Sequence, residues 1–100
     1  MISVNQVTME SVYFNGQVVD RYVTAPLSLN KKSIVSIKPA GIDWGLIKEI
    51  NNSPVKFSNL TEIVYNAGSN PVKVVVLGEY SEIMDMINGN NSSERMVLHD

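Results

Sequence analysis

One hundred residues, 44% of them apolar and 18% charged, with a net charge of −2, make one domain with a single modest core. They give no electrostatic footprint for DNA, RNA or an anionic membrane surface. The absence of cysteine excludes a disulfide framework, a thiol nucleophile and cysteine-ligated zinc or iron–sulfur sites.

Val and Ile supply much of the apolar share while Ala is scarce, so a β-rich domain is expected. The opening MISVNQVTMES has no basic segment followed by an unbroken apolar one, and no run approaches the ~18 apolar residues of a membrane span. The expected location is the cytoplasm of the producing cell, with incorporation in a virion as a further possibility, and no membrane as a partner. Asn-x-Ser/Thr matches start at Asn51, Asn59, Asn90 and Asn91, and in an Asn-rich chain they are read as chance.

The first elements are two strands, 7–14 and 17–24, joined at Asn15-Gly16, a pair suited to the positive φ that a type I′ turn needs. Counting outward puts Phe14 opposite Gln17, Tyr13 opposite Val18, Val12 opposite Val19, Ser11 opposite Asp20, Glu10 opposite Arg21 and Met9 opposite Tyr22. One face then carries Phe14, Val12, Val19, Val23 and the Glu10–Arg21 pair; the other carries Tyr13, Val18, Met9, Tyr22 and Val7. A hairpin with one wet side alternates apolar and polar residues, and this one does not. Either a helix or loop of the same chain covers the second face, or the hairpin projects and buries that face against a partner.

Pro26 is expected to break the pattern. Leu27 and Leu29, then Ile34, Val35 and Ile37, read as a second hairpin, 27–38, around Asn30-Lys31-Lys32 and ended by Pro39. From 43 to 51 the spacing fits a short helix. Asp43 would be its N-cap, Ile42 and Ile47 a hydrophobic staple, and Leu46, Ile47 and Ile50 its apolar side; Gly45 makes a loop with one helical turn the competing reading. The third hairpin, 61–66 with 72–77, has a second run that is apolar on nearly every residue, as expected for a central strand covered on both faces. A helix over 79–88 follows, with Tyr80, Ile83, Met84 and Ile87 on one side and Gly89 as its C-terminal cap. The fold class is therefore α+β, a β-rich single domain over 1–88. Residues 89–100 form a tail that begins as a linker, offers Met96-Val97-Leu98 as a short strand, and is expected to dock on its own domain or on a neighbour.

Chemistry is sparse. The one histidine, His99, lies in that tail, where it reads as solvated rather than as the base of a triad. Glu79, Glu82 and Asp85 recur every three residues as the wet side of the last helix. Lys31, Lys32 and Lys38 are the only basic cluster, and a small nucleic-acid-binding protein using them with Tyr22 is the third-ranked reading. No phosphate-cradling Gly-rich loop is present. No catalytic, cofactor-binding or metal-ligating residue is assigned, and an enzyme is the least supported class. Trp44, the only tryptophan, stands in a loop-like segment as a core lid or an interface anchor.

Leu29-Asn30, Ile34 and Ile37, then Thr61, Ile63, Gly68, Val74, Val76, Glu82, Ile83 and Ile87, follow the order of the FlbD-like family of small flagellar and swarming motility proteins, which this part of the chain resembles. The resemblance covers residues about 27–39 and 60–88; the hairpin before Pro26 and the stretch 40–59 lie outside it. It implies a compact sheet with one C-terminal helix, no catalytic residue, and a motility or regulatory adaptor binding one cytoplasmic partner. The leading expectation is a non-enzymatic assembly module, an auxiliary or decoration protein of a virus particle or similar complex. Its partners would be other protein subunits, contacted through Tyr13, Val18, Tyr22, Trp44, Met96, Val97 and Leu98.

Overall fold

The structure, a computed structural model, describes residues 1–89, the side chain of Phe57 excepted. The expected strand at 96–98 and the docking of the tail lie outside the described residues, as does His99. Strands β1 (Ile2–Phe14) and β2 (Gln17–Leu29) form one long hairpin. β3 (Ile34–Pro39), β4 (Glu49–Ile50), β5 (Ser53–Pro54), β6 (Leu60–Ala67) and β7 (Asn70–Leu77) follow, then helix α1 (Tyr80–Ile87). Five strands make one antiparallel sheet in the order β2-β1-β7-β6-β3, and β4 pairs with β5 alone. The β-rich α+β class with one C-terminal helix holds.

The β1–β2 register agrees with the counted one at every pair, because Asn15 (φ 53°) and Gly16 (φ 78°) close the two-residue turn. Arg21 donates from both Nε and Nη2 to Glu10 Oε2 at 2.6 Å, and Ser11 Oγ donates to Asp20 Oδ1, so two cross-strand polar pairs lock that register. β6 and β7 meet at Gly68-Ser69, with positive φ at the glycine as a type II′ turn requires. β7 is the central strand, and Val74, Val75 and Val76 are buried in succession because both of its faces are covered.

Two expectations fail here for physical reasons. Pro26 does not end the second strand: β2 lies at the sheet edge, where a residue without an N–H can point its nitrogen away from the ladder. Residues 27–38 are not a hairpin either, since β3 pairs with β6 at the far edge. From Leu29 to Ile34 the chain advances five residues, at most about 17 Å, whereas a flat sheet would set the two edges about 19 Å apart. The sheet must therefore curl. Its concave face gathers Leu27 and Leu29 from one edge, Ile34 and Ile37 from the other, and Ile2, Val4, Ile63, Val74 and Val76 between them, with Ile83 and Ile87 of α1 packed on top. A bulge at Val35 puts Ile34 and Ile37 on this same face, although three residues apart they would otherwise point oppositely.

The convex face is covered by the excursion 40–59. Ala40, Ile47 and Ile50 are buried there with Val7, Leu60 and Val75, and Tyr22, Trp44 and Val55 pack around them. No α-helix forms over 43–51. Ile42–Leu46 is a single 3-10 turn held by Trp44 N–H to Gly41 O and Ile47 N–H to Trp44 O, and the chain is extended by Ile47. Asn51 (φ 56°) and Asn52 (φ 64°) then make a second two-residue turn of the same kind as Asn15-Gly16. A short helix offers few bonds for its nucleation cost, whereas the extended route lets Asn51 bond to β2: its N–H donates to Tyr22 O, its Oδ1 accepts from Thr24 N–H and its Nδ2 donates to Thr24 Oγ1.

Candidate functional site: the projecting arm

β1 meets β7 only at Asn5↔Leu77 and Gln6↔Val76, and Asn51 holds β2 only at Tyr22 and Thr24. Beyond those points the β1–β2 hairpin is a two-stranded ribbon, and from Met9 to Phe14 it runs on for about 17 Å. Both of its faces carry apolar groups. Tyr13 is 82% exposed, Val18 and Met9 59% each and Phe14 65%, with Val19 exposed beside Val12 on the Phe14 side. A bare two-stranded ribbon is marginal in water, and exposing its largest side chains offers no stability to the isolated chain. The arm is the chief surface feature the fold leaves unexplained.

The predicted contact residues separate into three groups. Tyr13 and Val18 stand at the arm's end, opposite one another and open to solvent. Tyr22 and Trp44 lie at its base, half-buried with ring centroids 6.4 Å apart and tilted by 58°, and they serve the convex core rather than a free surface. Met96, Val97 and Leu98 are outside the described residues. Ile42 and Leu46, expected as a staple residue and part of a helix's apolar side, are 80% and 85% exposed, because a 3-10 turn stands in place of the helix and both point outward. Leu46 borders an open cleft of about 300 Å³ with Asp20, Tyr22, Lys48 and Glu49, so it adjoins the base of the arm.

The rest of the described surface holds no assembled chemistry. No three His, Asp or Glu side chains among the described residues come together as a metal cluster. Glu82 Oε1 accepts from the Glu79 N–H at the start of α1, so this acid caps the helix. Lys32 lies in the turn whose Asn30 Oδ1 accepts its N–H, whereas Lys38 stands near the far end of β3, about 13 Å beyond Ile34. Lys38 instead pairs with Glu62 at 3.3 Å, and Lys73 approaches the same carboxylate at 3.9 Å. The three lysines thus do not form one basic track. A cleft of about 630 Å³ between Val55, Lys56, Leu77 and Glu82 is open to solvent. No helix among the described residues is long and apolar enough to cross a membrane. No family model, curated protein or solved structure matches this chain.

Proposed function

We propose that the chain is a non-enzymatic assembly module, of the kind that serves as an auxiliary or decoration protein in a virus particle or similar complex, and that its arm is the part inserted into a neighbouring subunit. One observation carries the reading: a ribbon locked in register by Glu10–Arg21 and Ser11–Asp20 presents Met9, Tyr13, Phe14, Val18 and Val19 to solvent on a curled sheet whose own two faces are already filled. The polar pairs keep the ribbon extended and the apolar groups give it something to bury. The Asn-rich, cysteine-free composition suits a particle component made in a reducing cytoplasm.

The test is separation by mass of a lysate from the producing cells. The wild type should migrate with a particle far heavier than itself, and a folded Tyr13→Ser/Val18→Ser variant should be released to low mass. A wild type found only at low mass would sink the assembly reading, and a single regulatory protein recovered with it would favour an adaptor.

A further inference from the structure

The arm and the 3-10 turn form two limbs of one corner. On the convex side of the sheet, Met9, Tyr13 and Val18 line the arm, and Leu46 adjoins its base across the cleft shared with Asp20 and Tyr22. Ile42, four residues before Leu46 on the same turn, is equally bare. The exposed apolar groups therefore sit at the tip of the arm, on Tyr13 and Val18, and at its base, on Met9, Leu46 and Ile42, with the hydrogen-bonded Ser11–Asp20 pair between them. This arrangement is self-complementary. Turned about a two-fold axis through the middle of the arm, a second copy brings its tip to this copy's base and offers its own base to this copy's tip.

We propose that the arm's occupant is a second copy of this chain, with Tyr13 and Val18 of one protomer packed on Ile42 and Leu46 of its partner in an antiparallel two-fold pair. The inference rests on the reading of the arm as an interface and adds the identity of the partner. The area supports it. Five exposed side chains per copy at roughly 100 Å² each, or about 500 Å², give about 1,000 Å² per pair, which reaches the lower bound of a specific interface.

The absence of native cysteine permits a clean test. Val18→Cys and Leu46→Cys are made as separate variants at exposed positions, mixed, and oxidised. Each chain then carries a single thiol, so any disulfide must join two copies, and it forms readily only where the two backbones come within ~7 Å. The expected result is a mixed disulfide dominating over either self-pair, a wild type of twice the monomer mass, and at least a tenfold weaker dimer for Ile42→Ser/Leu46→Ser with an unchanged melting profile. A wild type monomeric at high concentration overturns the proposal. So does a link formed only between two copies of Val18→Cys, which would mean tip-to-tip contact. A monomer that still migrates with a heavy particle through Tyr13 and Val18 overturns the second copy alone, whereas one that joins nothing removes the interface reading as well.

Discussion

Asn51 shows how much one side chain can decide. It takes a positive φ, closes the β4–β5 turn and makes three hydrogen bonds to the edge of β2 at Tyr22 and Thr24. Asn51→Ala removes the two side-chain bonds and strains the turn, at a cost of about 2 kcal/mol. Asn52→Gly, which keeps the turn geometry, should change stability by no more than about 0.5 kcal/mol. Denaturant titration of the two variants checks the contrast, and equal midpoints would show that Asn51 does not anchor the excursion. Gly78 is the second such position. Its φ is 142°, its carbonyl accepts from Thr61 Oγ1, and a Cβ there would stand 3.0 Å from Ile83 Cδ1. Gly78→Ala should cost about 1 to 3 kcal/mol, read as a lower melting temperature; an unchanged melt would mean that the join between β7 and α1 yields freely.

Among the elements, the arm is the one that can be removed. Excising residues 10–13 with 18–21 deletes four complete cross-strand pairs and keeps every remaining side chain on its original face, because an even number leaves each strand. The shortened chain should fold with a stability within about 1 kcal/mol of wild type while losing self-association. Collapse of the fold on excision would show that the ribbon is part of the core. The same logic predicts that amide hydrogens of Glu10–Tyr13 and Val18–Arg21 exchange faster than those of Ile63 and Val74–Val76 in the monomeric Ile42→Ser/Leu46→Ser variant, where no partner protects them. Equal protection in that variant would contradict a free arm.

Across the whole molecule, one curled sheet separates two apolar clusters, Ile83 with the concave one and Leu60 with the convex one. Ile83→Ala and Leu60→Ala should each cost about 2 to 5 kcal/mol. Unfolding should remain a single transition in both, since β6 and β7 contribute to each cluster. Trp44 fluorescence follows the convex side alone, so its coincidence with the far-ultraviolet signal of the sheet is the check. Two separated midpoints would mean that the faces melt independently.

Short-range chemistry was legible in the chain. Asn15-Gly16 specified a turn and thereby every pair of the first hairpin, and the run from Val72 to Leu77 announced a strand buried on both sides. Gly89, at φ 69°, ends the helix as its sequence position suggested. These features depend on backbone preferences of adjacent residues and on which side chains share a face, so the sequence by itself determined them. Pairing across the sheet was another matter. Whether Ile34 belonged beside Leu29 or beside Tyr65 depended on the curl of five strands, and Pro26 was tolerable only because β2 came to lie at an edge. Asn51-Asn52 became a turn rather than a helix end because β2 offered bonds at Tyr22 and Thr24. For the same reason the apolar surplus of the hairpin divided as it did: Val7 and Tyr22 fell under the excursion, while Tyr13 and Val18 lay beyond its reach. Burial is a property of what arrives from elsewhere in the chain, and only the tertiary structure decided which half of the hairpin was left bare.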